Sequence, residues 1–310
     1  MKKVGKWILV FIGAIAIVLL LRGFFFTTYI IPSSGMENTL FQGDRIFVNK
    51  WSYGLRLPCM SLISYHRWCD KPIKPGDIVV FNNPVDTDKP VIDKRRVFIN
   101  RCLGSPGDTL VLDSLFKVSS WEKAGPERKE LFSYPKANDR KMDSLLIVLN
   151  LAGNELMGSN DNLLVRAFSR YEYYLLEQAL QDNNWVKPFI QAEKEVTKPL
   201  IVPQKGKAID IHPWNVTLYR NTILLHEGKA AEIKNDSLYI DGHAVSTYIF
   251  SQDYYWMMSD NSINTTDSRL FGFVPRNHVI GKVSFIWFSK EAYSKLTNGY
   301  RWNRFFKAIK

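Results

Sequence analysis

The chain has 310 residues, of which 46% are hydrophobic, so it is long and apolar enough to bury a substantial core. That composition excludes a globally disordered protein. The formal net charge of +11 suits either an anionic membrane surface or a nucleic acid. The sequence has no block of Lys and Arg and no RNA-binding signature, and it begins with a membrane segment. We therefore predict contact with membrane lipid and no nucleic-acid partner.

The first predicted element is a transmembrane helix at residues 7–26, preceded by a cytoplasmic N-terminus at residues 1–6. The apolar run WILVFIGAIAIVLLLRGFFF begins at Trp7, and its length matches a bilayer core about 30 Å thick. Lysines at positions 2, 3 and 6 predict that the N-terminus stays in the cytoplasm and that the rest of the chain is exported. A cleavable signal peptide is the competing interpretation, but no small-x-small cleavage site follows the run.

Short runs rich in β-branched and aromatic residues follow, separated by Gly, Pro and Asp turns. Ile78–Phe81 comes after a Pro-Gly turn, and Val97–Leu103 precedes another turn at residues 104–108. Asp241-Gly242 lies between two apolar runs and predicts a hairpin. This pattern is typical of antiparallel sheets. We therefore predict a mainly β fold, with the β domain at residues 27–113 and 201–290.

The pattern changes between these two β regions, where turn signals become rare. Residues 142–151 and 162–180 have helical character, and apolar residues in the second range approximate a helical stripe. We therefore predict a helical insertion at residues 114–200. The tail, residues 291–310, mixes aromatic and basic residues. It either lies on a membrane surface or is a frayed terminus.

The cysteines and histidines indicate neither a disulfide scaffold nor a metal site. Cys59 and Cys69 have a spacing that allows a disulfide in an exported domain, but two unpaired thiols are an equal alternative. Cys102 lies in an apolar strand pattern, which predicts a core residue. The five histidines have no spacing typical of metal ligands, so we predict isolated surface or core residues and no cofactor. They are His66, His212, His226, His243 and His278.

Four stretches carry motifs that occur in a fixed order. The first, Pro32-Ser33-Ser34-Gly35-Met36, comes directly after the membrane segment. Together the four stretches resemble the bacterial type I signal peptidases, whose Pro-Ser-x-Ser-Met core carries the catalytic serine. The resemblance covers roughly residues 24–113 and 200–290 and implies a signal-peptidase-like antiparallel β domain. The other three stretches are Gly76–Phe81, Phe98–Asp108, and Ser259–Arg269 with Gly272–Pro275.

The resemblance implies hydrolysis of the bond after a signal peptide by a Ser-Lys dyad, but both dyad positions are substituted. A serine hydroxyl needs an adjacent base, and a lysine can be that base only if burial lowers its pKa. The nucleophile position, next to Met36, holds Gly35, which has no side chain. The general-base position, next to Arg101, holds Asn100, whose amide cannot deprotonate a hydroxyl at neutral pH. We therefore predict no ordinary Ser-Lys catalysis.

The resemblance also implies an oxyanion hole and a supporting shell. The hole corresponds to the hydroxyl of Ser33 and the backbone N–H of Gly35. The supporting residues correspond to Met36, Thr265, Asp267, Ser268 and Arg269, with Thr265 in place of a serine and an ion pair expected between Asp267 and Arg269. Departures from the family pattern cluster at the site, at positions 38, 259 and 262.

Three functional hypotheses remain. The first is a non-catalytic member of the family that binds signal peptides of exported preproteins or forms a complex with an active signal peptidase relative in the bacterial inner membrane. The second is an active endopeptidase with a relocated nucleophile such as Ser34, although neighbours in an extended segment face opposite ways and Lys94 lies in a polar stretch. The third is a structural membrane protein with a vestigial site.

Overall fold

The computed structural model describes residues 2–37, 39–58, 60–61, 64–112, 129–149, 151, 154, 156–159, 162–181, 184–189, 198–261, 266–291, 294 and 298–309. The chain begins with helix α1, Lys2–Phe24. Within it, Trp7–Phe24 has a mean hydropathy of 2.5, is not buried against the rest of the protein, and is long and apolar enough to cross a membrane. The predicted apolar helix is thus confirmed by length and composition.

The helix ends two residues earlier than predicted. Phe26 already belongs to the first strand, where its ring stacks on Phe47 with centroids 5.1 Å apart. The Lys50 ammonium donates hydrogen bonds to the carbonyl oxygens of Arg22 and Gly23, at 3.0 and 2.8 Å. A lysine that satisfies the last carbonyl groups of a helix stabilises its end. The apolar composition of residues 24–26 concealed this boundary.

The first β region contains seven strands among the described residues. Turn residues separate them, as the Gly, Pro and Asp pattern predicts. They are β1 Phe26–Ile30, β2 Asp44–Asn49, β3 Leu55–Arg56, β4 Arg67–Trp68, β5 Ile78–Asn82, β6 Val97–Gly104 and β7 Thr109–Leu112. Short 3-10 turns accompany them at Ser34–Met36, Lys50–Tyr53 and Ile92–Lys94.

The insertion contains helices, and it also contains strands that the sequence did not predict. Its described elements, which we call the inserted unit, are β8 Lys129–Pro135, a 3-10 turn Lys136–Asn138, α2 Asp139–Val148, β9 Leu156–Ser159, β10 Leu163–Ser169, α3 Arg170–Leu180 and β11 Lys187–Pro188. The four strands form a separate antiparallel sheet in the order β11-β8-β10-β9. The inserted unit has its own apolar core, which includes Phe132, Tyr134, Met142 and Phe168.

The predicted helix at 162–180 is correct only in its second half. Residues 163–169 form β10 because they pair with β8 along seven positions. The helix starts after Ser169, whose hydroxyl accepts from the Glu172 N–H while the Glu172 carboxylate accepts from the Ser169 N–H. This capping box is a Ser-x-x-Glu start signal that was readable in the sequence. The apparent stripe across residues 162–169 was a strand.

The second β region completes the chain. Its hairpin at Asp241-Gly242 is confirmed, with both residues at positive φ (49° and 86°) between paired strands. The elements are β12 Lys198–Ile201, β13 Ala208–Asp210, α4 Val216–His226, β14 Ala231–Lys234, β15 Ser237–Ile240, β16 His243–Val245, β17 Thr247–Ile249, β18 Tyr254–Met258, α5 Ser268–Phe271, β19 Val274–Pro275, β20 Val279–Ser289 and β21 Lys307–Ala308, with 3-10 turns at Arg276–His278 and Trp302–Arg304.

The main sheet joins the two β regions. Its strand order is β1-β2-β20-β5-β6-β18-β19, with β21 paired to β20, and its neighbours are antiparallel. Irregular register between β2 and β20 marks bulges, which bend a sheet. The bending brings β1 and β6 to one apolar cluster, here called the site-side core, against which Tyr29, Val97 and Ile99 pack. The mainly β fold class is confirmed.

The C-terminal tail is docked, so the interpretation as a frayed terminus is wrong. Strand β21 pairs with β20, and Arg304 is buried against Asp44 with Nη2 and Oδ2 2.6 Å apart. Arg304 Nη2 also donates to the carbonyl oxygen of Thr39 at 2.9 Å. A buried guanidinium is retained only with such partners. Contact of the tail with a membrane stays a prediction.

Of the cysteines, Cys102 is buried in β6, as predicted, and burial raises the pKa of its thiol. Cys69 is exposed with a free thiol, and Cys59 lies outside the described residues. The histidines are not all isolated, because the rings of His226 and His278 lie 5.3 Å apart. Among the residues that the structure describes, no group of His, Cys, Asp and Glu has the arrangement of a metal site.

Candidate functional site

The nucleophile position lies in a tight turn after β1. Ser34–Met36 form a single 3-10 turn, in which the Glu37 N–H donates to the Ser34 carbonyl at 3.0 Å. Met36 is buried in the site-side core and holds the turn against the sheet. Gly35 is not among the residues with a positive φ, so its backbone conformation does not require glycine. At this position the chain lacks the hydroxyl that the family resemblance implies.

The general-base position lies on β6, opposite Val79 of β5. Asn100 is 2% exposed, and its Nδ2 donates to Ser259 Oγ at 2.8 Å. Its Oδ1 is buried and has no hydrogen-bond partner. Turning the amide over would exchange the two atoms and leave the nitrogen unpaired instead. The position is thus filled by a neutral amide that can neither accept a proton at neutral pH nor satisfy both of its polar ends.

Next to Asn100, Arg101 forms one of the two buried ion pairs that connect the predicted site residues. Its Nε and Nη2 donate to the two carboxylate oxygens of Asp260, each at 2.8 Å. The Thr39 hydroxyl completes the network, since it accepts from Arg101 at 3.0 Å and donates to Asp260 at 2.6 Å. Bidentate guanidinium–carboxylate pairs are both strong and geometrically specific. This network joins β6, the end of β18 and the segment after Met36.

The second buried ion pair is the one expected from the sequence. Arg269 Nη2 and Nε donate to the two oxygens of Asp267, at 2.7 and 3.0 Å. Asp267 is fully buried and also accepts from the Ser259 N–H at 3.0 Å. Ser268 accepts a hydrogen bond from the Met257 N–H at 2.8 Å. The pair therefore holds the loop that contacts Asn100. We call the Arg101–Asp260 and Asp267–Arg269 pairs, with these contacts, the ion-pair frame.

The structure brings most of the predicted site residues together. Gly35 is joined to the third motif directly, because its carbonyl oxygen accepts from the Asn261 N–H at 3.0 Å. Ser33 is exposed and its hydroxyl does not cap the 3-10 turn, so its role in an oxyanion hole stays a prediction. Lys94 is exposed, in agreement with a solvated side chain. Thr265, with positions 38 and 262, lies outside the described residues.

Two strand edges flank the site. Strand β1 pairs with β2, and residues 97–100 of β6 pair with β5, whereas β18 begins its pairing with β6 at Arg101. Within the described part of the chain, no other strand pairs with β1 or with residues 97–99 on the remaining side. An unpaired edge has free N–H and C=O groups that can bind an extended peptide. Chemically, these edges offer main-chain groups to an extended peptide, and the two dyad positions hold Gly35 and Asn100.

Sequence reasoning missed one charged group at the site. Lys129, at the start of β8 in the inserted unit, is buried, and its ammonium lies 3.5 Å from Glu37 Oε2. In the sequence, Lys129 stands in the polar run Glu127-Arg128-Lys129-Glu130, which is typical of a solvated surface. No local signal distinguishes it, because its burial depends on contacts with residues far away in the chain.

Comparisons with known proteins agree with this geometry. A family model described as "Signal peptidase, peptidase S26" matches residues 4–144 and 249–288. A protein named Signal peptidase I from Helicobacter pylori is 24% identical, covering 96% of this chain and 90% of its own length. Proteins of the same name from Haemophilus influenzae and Aquifex aeolicus are 28% and 26% identical, covering 96% and 88% of this chain and 73% and 79% of their own lengths.

The matched residues include the 3-10 turn, β5, β6, β18 and most of β20, and they leave out most of the inserted unit. They make up more than half of the chain. The resemblance in the sequence motifs, the main sheet that carries them and the match to the family model therefore agree. The chain belongs to the signal peptidase family, peptidase S26.

Proposed function

We propose that this protein is a non-catalytic signal peptidase relative that binds signal peptides of exported preproteins at the emptied site. The observation that carries the proposal is the pair Gly35 and Asn100 within an intact ion-pair frame. One position has no nucleophile, and the other has an amide whose donor is spent on Ser259. Loss of both dyad members removes several powers of ten in rate, while the frame around them is kept.

Peptide binding is supported by the strand edges of β1 and β6. An extended segment that adds to such an edge gains main-chain hydrogen bonds, and side-chain pockets then give specificity. Tyr29, Val97 and Ile99 are half-buried against the site-side core, so they offer apolar surface next to the edges. The Gly35 N–H and the Ser33 hydroxyl would bind a peptide carbonyl in the manner of an oxyanion hole.

The proposed setting is a bacterial inner membrane, with the N-terminus in the cytoplasm and the β domain on the extracytoplasmic side. The lysines that precede the apolar run Trp7–Phe24 favour this orientation. A signal peptide would be held in the same membrane by its own apolar segment and would reach the site from there. An active signal peptidase relative is the proposed protein partner, since a binder that does not cut needs a second protein to complete the reaction.

The test uses the full-length protein in detergent micelles and a fluorescent synthetic signal peptide with a basic start, an apolar middle and an Ala-x-Ala site. We expect saturable binding without cleavage. A control peptide with proline in place of the residue before the Ala-x-Ala site should bind more weakly, because proline lacks the N–H needed for strand pairing. Absence of binding would contradict the proposal, as would cleavage that is lost in Ser34→Ala.

A further inference from the structure

A buried lysine joins the inserted unit to the emptied site. Lys129 is 4% exposed, although it opens a strand in a polar stretch of sequence. Its ammonium donates a short hydrogen bond to Asn154 Oδ1 and lies 3.5 Å from Glu37 Oε2 and 3.7 Å from Glu172 Oε1. We call these four residues the Lys129 cluster. A buried ammonium is costly unless it has such partners.

The cluster connects two parts of the protein that are distant in sequence. Glu37 directly follows Met36 and donates its N–H to the 3-10 turn that contains Gly35. Glu172 belongs to the capping box that starts α3, and its Oε1 also accepts from Asn154 at 3.2 Å. One ammonium therefore holds the end of the site turn against the first turn of a helix in the inserted unit.

A backbone contact at the same residue strengthens the connection. Lys129 forms a parallel β-bridge with Asn261. The N–H of Asn261 donates to the carbonyl oxygen of Gly35. The main chain of Lys129 is thus connected to Gly35 through Asn261. The Lys129 side chain is connected to the same turn through Glu37. Two independent contacts make the same connection.

The charges in the Lys129 cluster explain why losing the ammonium would disturb the turn. One ammonium lies between two carboxylates, so removing the ammonium leaves the half-buried Glu37 and Glu172 as neighbouring negative charges. Breaking a buried pair on one side is much more damaging than replacing the whole group. The turn would then move away from the inserted unit or take up water, and the position of Gly35 would change with it.

From these contacts we infer that Lys129 is a positioning residue for the emptied site. It holds the turn at residues 34–37 in the geometry that presents the Gly35 N–H, so the shape of the site depends on the inserted unit. That the site's ligand is a signal peptide rests on the proposed function, whereas the positioning of the turn does not. The inserted unit is therefore a part of the binding site and more than a passive appendage.

The experiment measures backbone hydrogen exchange of full-length protein in micelles by mass spectrometry. The reporter amides are those of Glu37, Thr39 and Leu40, which donate to carbonyl groups of the turn. In Lys129→Met we expect these amides to exchange at least roughly tenfold faster than in wild type, because the turn loses its partner. The matched control is Arg276→Met.

Arg276 is a fair control because it is a buried cation paired with a carboxylate, and its partners lie outside the Lys129 cluster. It is 6% exposed, its Nε donates to Asp70 Oδ1 at 3.1 Å, and its Nη2 donates to the Tyr53 carbonyl oxygen at 2.8 Å. Its loss should lower the stability of the β domain without a specific change in exchange at residues 37–40. Equal acceleration in both variants, or no acceleration in Lys129→Met, would overturn the inference.

A second variant removes the carboxylate of the Lys129–Glu37 contact and leaves the Lys129 ammonium with Glu172 and Asn154. Glu37→Gln should accelerate the same amides, and adding Lys129→Met to it should accelerate them less than in the wild-type background. Additive effects would contradict a direct Lys129–Glu37 contact. Peptide binding is measured on the same samples. If the exchange contrast is seen but wild type binds no peptide, the proposed function fails and the positioning role stands.

Discussion

Asn100 of the dyad positions and Arg101 of the ion-pair frame are neighbours and equally buried, yet they differ in how their polar atoms are satisfied. Asn100 has an orphaned polar atom, whereas its neighbour Arg101 satisfies its guanidinium with Asp260, Thr39 and the Gly76 carbonyl. Gly35 contributes only backbone. The frame consists of buried ion pairs, while the dyad positions hold neither a hydroxyl nor an amine. Under the proposed function, the site keeps its geometry after losing its chemistry because different residues supply the two.

The largest expected effect comes from restoring the dyad. Gly35→Ser with Asn100→Lys should cleave a signal peptide at least about a thousandfold faster than wild type, because the frame already positions both residues. The new lysine would be buried, which lowers its pKa toward the range of a general base. Product formation is followed by mass spectrometry.

Each single variant is the control for that experiment, since a dyad acts as a unit and neither half alone should produce the gain. A double variant that folds but does not cleave would show that the departures at positions 38, 259 and 262 also changed the geometry. The contrast between lost chemistry and retained frame would then be weaker than the contacts indicate.

Breaking the frame should be the next largest effect. Arg101→Met leaves the buried Asp260 carboxylate without its cationic partner, and we expect a loss of about 3–5 kcal/mol in the free energy of unfolding. The matched control is Lys229→Met, since Lys229 pairs with Asp241 at 3.4 Å and both side chains are about half exposed (52%). An exposed pair contributes roughly 0–1 kcal/mol. Similar losses in the two variants, measured by denaturant unfolding, would contradict the assigned importance of the frame.

A third region shows how burial changes the pKa of two histidines that lie next to an arginine. His226 at the end of α4 and His278 lie in ring contact, and Arg95 Nη1 is 3.1 Å from His278 Nε2. Burial, together with the nearby Arg95 guanidinium, lowers the pKa of His226 to about 4. Burial also lowers the pKa of His278, with His226 and Arg95 adding to the effect.

These shifts predict that stability falls on acidification. An unfolded histidine has a pKa of about 6.5, so between about pH 6.5 and pH 4 the unfolded chain binds more protons than the folded chain. His226 alone should cost about 3 kcal/mol across that window, with full stability above it. The thermal midpoint of His226→Phe should vary less with pH than that of wild type. Identical pH profiles would contradict the shift.

Much of the β architecture could be predicted from the sequence, because turn residues are local signals. The substituted dyad positions could be predicted too, because the motifs that mark them occur in a fixed order. The end of α1 at Phe24 could not, since Phe26 is apolar enough for a membrane and is drawn into β1 by stacking on Phe47. The Lys129 cluster could not either, because Glu37 and Lys129 meet only after the inserted unit has folded. The Ser169–Glu172 capping box is a local helix-start signal in the sequence. The apparent helical stripe across residues 162–169 suggested an earlier start instead.

The smallest expected effect is at Asn100, and it gives the sharpest form of the comparison. Asn100→Leu removes a buried acceptor that has no partner, which is a cost of about 1–3 kcal/mol in the folded state, together with one hydrogen bond to Ser259 that contributes about 1 kcal/mol. The two terms oppose each other, so the free energy of unfolding should stay at the wild-type value or rise by up to about 2 kcal/mol. Adding Ser259→Ala removes both partners of that bond and should change stability little beyond the effect of Asn100→Leu. If Asn100→Leu instead lowers the free energy of unfolding as much as Arg101→Met does, the amide is part of the ion-pair frame. The presence of asparagine in place of a basic residue then has a structural reason.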